Sequence, residues 1–288
     1  MKKSKLLIVG LLCLQLAVVY GVFAQTNTAP DGFVRINGGT FTMGSPTNER
    51  SRNDDEVQHQ VTVSSFFMGK YEVTQKEYQE VMGTNPSLFK GENLPVEKVS
   101  WYDTLVFCNK LSLLKGLTPA YSINGKTNPA EWGTVPENSD RNEWNDVTVI
   151  ANSNGYRLPT EAQWEYACRA GTTTAYNTGD TYSDNTGWSR TNSDSTTHEV
   201  GKKPPNAWGL YDMHGNVEEW CWDWYGTYSN ETQTDPTGAS HPGRRGIYNR
   251  MRRGGSWYYS SSQTRSARRG RHSPGANGPD FGFRLVLP

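Results

Sequence analysis

The chain has 288 residues, which is enough for one large domain or two small ones with a substantial core. Its formal net charge is zero. Aromatic residues make up 12% of the chain, including ten Trp and fifteen Tyr. So many large rings exclude a disordered chain. Because the sequence also contains 29 Gly and 15 Pro, we expect an irregular, loop-rich globular protein.

The N-terminus has the pattern of an export signal. Three Lys precede an apolar run over residues 6–23, which the small residue Ala24 closes. We expect a signal peptide over residues 1–24 and a linker over residues 25–32. Two alternatives stay open: a lipid-modified Cys13, and an apolar run kept as a membrane anchor. Each places the mature chain outside the cytoplasm, at the cell surface or outer membrane, or alternatively in the periplasm.

The first part of the mature chain has strand patterns. Alternating apolar and polar residues predict a hairpin formed by residues 33–36 and 39–43. Further strands are predicted over residues 60–63 and 66–68. The acidic stretch 48–56 between them is expected to be a solvated surface loop.

Three helix starts are marked by capping boxes, in which a Ser or Thr oxygen and a side chain three residues later cap each other's backbone N–H. The pairs are Thr74 with Glu77, Ser100 with Asp103, and Thr160 with Gln163. The predicted helices cover residues 75–82, 101–114 and 161–169 and end at Gly83, Gly116 and Gly171.

Short segments late in the chain predict strands, over residues 208–211, 220–222, 253–257 and 283–286. Helices early in the chain and a twisted sheet late in it imply the α+β class.

Cysteine usage favours neither a disulfide framework nor a zinc site. Outside the signal, Cys108, Cys168 and Cys221 are odd in number and form no CxxC pair. Cys108 and Cys168 lie in apolar helical contexts, so we expect buried, unreactive thiols. His214 and His241 have no second His or nucleophile at a useful spacing, which argues against a catalytic role for either.

The C-terminal segment combines a frame with residues of the types that contact ligands. Residues 240–288 contain ten Arg, no Lys and one acid, Asp280, so this segment carries +9 and the rest of the chain −9. Arg binds carboxylates bidentately, so we expect about half of these side chains to form ion pairs inside the fold. The frame residues, which a backbone turn or a core requires, are Gly254, Gly255, Trp257, Ala267, Pro274, Gly282 and Phe283.

Four motifs in order resemble those of the formylglycine-generating enzyme (sulfatase-modifying factor) family. They are residues 156–167 (YRLPTEAQWEYA), 209–220 (GLYDMHGNVEEW), 253–257 (RGGSW) and 282–284 (GFR). The likeness covers nearly all of residues 31–288. It implies a loop-rich α+β domain with the C-type-lectin-like fold of that family, which we place at residues 33–288.

The family's enzymes oxidise a substrate cysteine with two cysteines that lie just after the Gly-Gly-Ser-aromatic element. In this chain Tyr259 stands near the first of those positions, and no cysteine follows Cys221. Because this chemistry needs thiolates, the resemblance implies that the chain is not an enzyme and requires no cofactor.

The C-terminal frame resembles more closely the variable proteins of diversity-generating retroelements, those of treponemes in particular. In that class, mutation of adenines in Asn codons yields Tyr, Ser, Gly, Arg, His or Asp at positions that contact ligand. The resemblance implies a variable segment over about residues 241–284. Its implied ligand-binding residues are Arg244, Arg245, Tyr248, Asn249, Tyr258, Tyr259, Ser260, Gly270, Arg271, His272, Ser273, Gly275, Ala276, Asn277, Gly278, Asp280 and Phe281.

Family resemblance also implies a structural calcium site. The side chains of Asp212 and Glu219 and the carbonyls of Gly215 and Val217 match its ligands, with Asp212 in place of an Asn. Oxygen ligands that include two carboxylates suit calcium. The alternative is a tight turn whose acids cap backbone N–H groups.

Together these features predict an exported, non-catalytic, receptor-like or adhesin-like protein. Its diversified C-terminal segment would bind a protein or glycan on another cell or a host surface. No nucleic-acid partner is expected. Membrane contact is expected only through a lipid or an N-terminal anchor. The alternatives are an oxidase of protein cysteines, a calcium-dependent lectin and a structural envelope protein.

Overall fold

The computed structural model describes residues 28–137, 143–240 and 248–288. Three α-helices lie in these ranges: α1 Gln75–Met82, α2 Trp101–Leu114 and α3 Glu161–Arg169. Each begins at its predicted capping box. In α1, for example, the N–H of Glu77 donates to Thr74 Oγ1 at 3.2 Å and the N–H of Thr74 donates to the Glu77 carboxylate at 2.8 Å. The predicted helices are confirmed.

The helix ends follow the prediction with one shift. α1 ends at Gly83, whose φ is 80°, and Gly116, whose φ is 68°, follows α2. α3 ends at Ala170, whose φ is 45°, one residue before Gly171. The Ala170 N–H still donates to the Tyr166 carbonyl, so a non-glycine residue closes this helix in the left-handed conformation despite its steric cost.

Strands are short and are spread over four sheets. The described ranges contain β1 Phe33–Ile36, β2 Gly39–Met43, β3 His59–Val63, β4 Phe66–Gly69, β5 Tyr121–Ser122, β6 Thr148–Val149, β7 Glu218–Trp224, β8 Gln233–Thr234, β9 Arg250–Arg253, β10 Gly270–His272, β11 Phe281–Gly282 and β12 Val286–Leu287. Strand orders are β1-β4-β12, β2-β3-β8, β10-β9-β7-β11 and β5-β6. The class is α+β, as predicted.

The predicted hairpin of residues 33–36 and 39–43 is wrong in its pairing. β1 pairs with β4, and β2 pairs with β3 in a different sheet. Between β1 and β2, Gly38 passes so close to the end of β3 that a Cβ there would lie 2.6 Å from the Val63 carbonyl oxygen. An alternating pattern identifies the buried face of a strand, but it does not choose the neighbouring strand.

Residues 208–211 form no strand, contrary to the prediction. The Asn206 side-chain oxygen accepts the N–H groups of Trp208 and Leu210 at 3.0 and 3.1 Å and turns the chain. Leu210 is nevertheless buried, so the apolar residues of this segment reflect core packing outside any strand.

Two apolar clusters form the core. The first packs α1 and α2 against rings that include Tyr121, Trp220 and Phe283. The second surrounds α3, which contacts β2, β3, β7 and β9. Strand β7 contributes Trp220 to the first cluster and Cys221 to the second, so the sheet that carries the C-terminal segment is anchored on both sides. Within the described ranges, no helix is long and apolar enough to cross a membrane.

Candidate ligand-binding face

The C-terminal segment is built on the antiparallel pair β9 and β10, which residues 254–269 connect. Gly254 and Gly255 begin this connection with φ values of 94° and 65°, which L side chains rarely adopt. A Cβ on Gly255 would also lie 2.5 Å from the Gln263 carbonyl oxygen. Backbone geometry therefore requires these two frame glycines.

Buried arginines hold the connection in place. Arg253 is fully buried and forms an ion pair with Glu165. Its guanidinium also donates to the carbonyls of Ser266, Ala267 and Arg268 at 2.9, 2.9 and 2.8 Å. Because a guanidinium carries five donors in one plane, this single side chain fixes three consecutive backbone positions.

Other buried arginines of the segment form further ion pairs. Arg269 binds Glu161 at 2.8 Å, and Arg265 binds Glu56 at 2.8 Å. Glu56 is fully buried, so the prediction that the whole acidic stretch 48–56 is solvated is wrong for this residue. Its burial is explained by Arg265, since a buried carboxylate needs a compensating charge. Internal pairing therefore anchors the acidic stretch to the C-terminal segment.

We call seven side chains of the segment, all at least partly exposed, the C-terminal face. Tyr258 is 58% exposed. Arg271, His272 and Asn277 are exposed, and Tyr259, Ser260 and Ser273 are half-buried. The face consists of these seven residues.

Contacts join the two chain stretches that form the face. The rings of Tyr258 and Tyr259 lie 5.8 Å apart between centroids. Tyr259 and His272 both lie close enough to Arg252 for its charge to affect their pKa values. Tyr259 also borders the same cleft as Arg271. Tyr259, Arg271 and His272 therefore lie near one another around Arg252 and the cleft.

Several predicted ligand-binding residues lie beneath this face. Phe281 is 8% exposed, and its ring lies under the Arg252 guanidinium at 3.6 Å. Asp280 is also buried and accepts the Ser256 hydroxyl at 3.1 Å. These two side chains support the face and are not exposed on it, which corrects their predicted placement.

Three glycines and an alanine of the predicted set complete this supporting layer. Gly275 is buried, and Ala276 and Gly278 are half-buried. Gly270 is buried against Glu218, and a Cβ there would lie 1.8 Å from Glu218 Oε1. Position 270 is therefore not free to accept any side chain, although the sequence assigned it to the freely varying set.

The earlier loop of the predicted site lies at the edge of the face. Tyr248 is half-buried against Trp224, with ring centroids 6.0 Å apart. The Asn249 carbonyl accepts the N–H of Tyr225, whose ring lies 4.0 Å below Arg271. The predicted residues Arg244 and Arg245 lie outside the described residues, as do Cys13, His241 and the predicted signal peptide.

A cleft of ≈ 430 Å³ opens beside the face, and sequence reasoning missed most of its residues. The cleft is lined by Asp54 and Asp55 of the acidic stretch and by Arg268 and Arg271 of the C-terminal segment. The acidic run was visible in the sequence, but nothing local indicated that it faces the C-terminal segment. That proximity follows from the long-range ion pairs of Arg265 and Arg269.

Glu218 and Arg252 lie at the floor of the cleft, 5% and 4% exposed. Glu218 Oε2 and Arg252 Nη1 are 3.0 Å apart but out of line for a hydrogen bond. Neither atom, nor Arg252 Nε, has a hydrogen-bond partner among the described residues. Burial raises the pKa of Glu218, and the positive charge of Arg252 opposes this shift. The two side chains therefore form a buried ion pair at the floor of the cleft.

The thiols of the described residues lie in the interior. Cys108, Cys168 and Cys221 are all free and buried, which confirms the prediction for the first two. Cys168 Sγ lies 3.8 Å from His214 Nε2, but burial raises the pKa of this thiol to about 12 and lowers the pKa of His214 to about 4. At neutral pH the pair is a thiol beside a neutral imidazole, without a thiolate nucleophile.

The predicted calcium ligands do not fit a calcium ion well. Glu219 accepts Arg284 Nε and Nη2 at 2.6 Å each, and Trp164 Nε1 at 2.7 Å. Both carboxylate oxygens are therefore engaged, and Arg284 already supplies the positive charge. Among the described residues, no three acid, His or Cys side chains are arranged to hold a metal.

The other predicted calcium ligands form a tight turn. Asp212, with φ of 57°, accepts the Gly201 N–H through Oδ2 at 2.7 Å. Gly215 has φ of 116°, and the Val217 N–H donates to Glu72 at 3.0 Å. Burial raises the pKa of Asp212 to about 6. Asp212 therefore caps a backbone N–H, as in the alternative interpretation, whereas Glu219 accepts from the side chains of Arg284 and Trp164. Asp212 Oδ1 is buried without a partner among the described residues.

Comparison with known proteins agrees with this architecture. Residues 20–288 match the sulfatase-modifying factor enzyme 1-like domain family. The chain is 36% identical to chaperone protein LppX of Paenibacillus barcinonensis, over 96% of this chain and 98% of LppX. It is 26% identical to the formylglycine-generating enzyme of Bos taurus, over 89% of this chain and 75% of that enzyme.

A solved structure, that of Treponema denticola variable protein 1, superposes with a TM-score of 0.78. Its sequence identity is 36%, and the match covers 88% of this chain and 94% of that one. The resemblance to treponemal variable proteins and the C-type-lectin-like fold are thus confirmed.

Proposed function

The chain belongs to the formylglycine-generating enzyme (sulfatase-modifying factor) family, and we propose that it is a non-catalytic, exported protein that binds a ligand through its C-terminal face. One observation carries the proposal, the separation of residue types in residues 250–288. Frame residues such as Arg253 and Ala267 are buried, whereas Tyr258, Arg271 and His272 are exposed. A rigid backbone that presents large amphipathic and small polar groups suits binding, because little entropy is lost on contact.

The absence of oxidase activity is part of this proposal. No cysteine follows Cys221 in the sequence, and Tyr259 stands near the position where the family's enzymes carry the first of their two cysteines. The buried, protonated state of Cys108, Cys168 and Cys221 supports the same view. Oxygen consumption in the presence of copper and a cysteine-containing peptide would overturn it.

The likeness to variable protein 1 supports diversification of the face by a retroelement. The expected ligand is then a protein or glycan on another cell or a host surface. A neighbouring reverse-transcriptase gene would support this origin, together with a near-copy of the last codons that differs only where the copy has adenine. Differences spread equally over codons for Arg253 and Tyr258 would contradict it.

Binding is tested with a glycan array and a random peptide library, each probed with the wild-type chain and with a variant carrying Tyr258→Ala, Tyr259→Ala and His272→Ala. We expect the wild-type binders to be lost in the variant while the free energy of unfolding stays nearly unchanged. Replacement of Leu113 by Ala, an exposed residue near the end of α2, is the matched control and should keep all binders. Binders that survive the triple substitution would refute the assignment of the face.

A second candidate function, assistance to a client polypeptide, is favoured by the likeness to LppX, which is named a chaperone. Under this alternative the chain would suppress aggregation of an unfolding test protein such as citrate synthase, with little dependence on the identity of Tyr258 and His272. Suppression that disappears in the triple variant would favour recognition through the face.

A further inference from the structure

The cleft beside the C-terminal face extends the binding site onto parts of the scaffold outside the variable segment. We propose that it binds an acidic polypeptide segment, whose acidic side chains contact Arg268 and Arg271. This inference rests on the proposed binding function and specifies the chemistry of the ligand.

An ion pair closes the floor of the cleft. Glu218 Oε2 and Arg252 Nη1 lie 3.0 Å apart, and both side chains are buried. Because these two charges compensate each other, the charge preference of the cleft depends on the other charged residues that line it.

The walls of the cleft give it a preference for negative charge. Asp55 is already engaged by the Tyr225 hydroxyl at 2.9 Å and lies 3.9 Å from Arg269. Arg271 lies over the Tyr225 ring at 4.0 Å, and no described carboxylate lies within ion-pair distance of it.

Arg268 likewise pairs with no described carboxylate and binds only the side-chain amide of Gln263 at 2.5 Å. Two cations without an ion-pair partner among the described residues, Arg268 and Arg271, therefore line the cleft together with one exposed acid, Asp54, which lies 4.0 Å from Arg52. A carboxylate of the ligand would form bidentate contacts with either guanidinium.

An aromatic ridge leads from the cleft and suits a polypeptide better than a polysaccharide. Ring centroids lie 5.4 Å apart for Phe89 and Trp257, 5.6 Å for Trp257 and Tyr258, and 5.8 Å for Tyr258 and Tyr259. Beyond them Leu88 is 57% exposed. Of this row, Tyr259 also lines the cleft, so apolar groups lie beside its charged residues and fit a chain that carries both apolar and acidic side chains.

The test is selection of random twelve-residue peptides displayed on phage against three proteins: the wild type, the variant with Arg268→Gln and Arg271→Gln, and Asp54→Asn. We expect peptides selected on the wild type to be enriched in Asp and Glu, and the selected peptides to bind the double variant roughly fivefold to twentyfold more weakly. Asp54→Asn should tighten the same peptides by about threefold. Lys115→Gln, which removes an exposed cation just after α2, is the matched control and should change nothing.

The results of this selection distinguish a failure of the acidic-peptide inference from a failure of the proposed function. Peptides that need Tyr258 and Tyr259 but bind equally to the double variant would overturn the inference and leave the proposed function standing. Selection of sequences without acidic enrichment, or binding of an acidic polysaccharide such as heparin in place of any peptide, would also overturn it. Peptides or glycans that bind regardless of both sets of substitutions would refute the proposed function as well.

Discussion

The inward and outward sides of the C-terminal segment follow different physical rules. On the inward side, Arg253 and Arg269 are buried, and each pairs with a carboxylate of α3. On the outward side, Tyr258 and His272 are exposed, and no ion pair among the described residues involves them. This difference shows that long-range ion pairs fix the backbone of the C-terminal segment. The outward side chains are therefore not needed for core packing.

Buried ion pairs suit this task because their geometry is directional. A buried pair contributes little net stability over an apolar pair, but removal of one partner leaves an uncompensated charge. Five of the eight described arginines in residues 240–288 pair with buried carboxylates, and Arg250 instead lies between the rings of Trp101 and Trp224. The segment therefore holds one backbone conformation even in a loop-rich region.

The largest expected effect is on the inward side. Arg253→Met should lower the free energy of unfolding by about 3–5 kcal/mol, because Glu165 and three carbonyls lose their buried donor. Urea denaturation measures the change. Arg271→Met, in the same segment but exposed, is the control and should stay within about 0.5 kcal/mol. Equal losses for the two variants would remove the distinction between the two sides.

Acid should lower the free energy of unfolding through His214, which contacts the C-terminal segment at the Thr264 carbonyl. Its Nδ1 lies 2.7 Å from the Thr264 carbonyl and its Nε2 accepts the Asn177 N–H at 3.0 Å, so the neutral ring is fully bonded. Burial lowers its pKa from 6.5 to about 4, so in acid the unfolded chain takes up a proton that the folded chain does not. Stability from this group is complete above pH 6.5 and falls by about 3 kcal/mol towards pH 4.

Comparison with His214→Gln isolates this group from the buried carboxyls, such as Asp223, whose raised pKa values act in the opposite direction. Denaturation at several pH values should show that the variant, although less stable, loses less stability between pH 6.5 and 4. Parallel curves for the two proteins would show that His214 titrates normally in the folded state.

A smaller effect is expected at position 270, where the two sides meet. Gly270→Ala should cost about 1–3 kcal/mol, because the new methyl group displaces the buried Glu218 carboxylate. The control Ser273→Ala, at the residue directly after β10, should change the unfolding free energy by less than about 0.5 kcal/mol. A Gly270→Ala variant with the same free energy of unfolding as the wild type would mean that position 270 can vary like its exposed neighbours.

Substitutions on the outward side should lower the free energy of unfolding least. The triple variant with Tyr258→Ala, Tyr259→Ala and His272→Ala should unfold within about 1 kcal/mol of the wild type, since only Tyr259 is appreciably buried. Chemical denaturation with a tyrosine-independent signal, such as far-ultraviolet circular dichroism, avoids the loss of probe residues. A loss of several kcal/mol would place these rings in the core.

No shift is expected on addition of calcium. Arg284 occupies both oxygens of Glu219, so millimolar calcium should leave the thermal midpoint unchanged, and chelation should do the same. A concentration-dependent rise in the midpoint that Asp212→Ala abolishes would restore the calcium site that family resemblance implies.

The comparison of sequence and structure shows which features local patterns determine. The three helices could be located because a capping box and a left-handed terminator act within a few residues, as in α1 from Thr74 to Gly83. The requirement for Gly254 and Gly255 could be predicted for the same reason. The pairing partners of β1 and β2 could not be predicted, because they depend on strands elsewhere in the chain.

The sequence by itself determined the family, the helices and the types of residue offered to a ligand. The tertiary structure alone decided which of them are exposed: Phe281 and Asp280 are buried although their types fit the variable set, and Asp54 reaches the cleft from the opposite end of the chain. The physical reason is that residue type follows from local chemistry, whereas burial and proximity follow from contacts such as that of Arg265 with Glu56, which lie 209 residues apart in sequence.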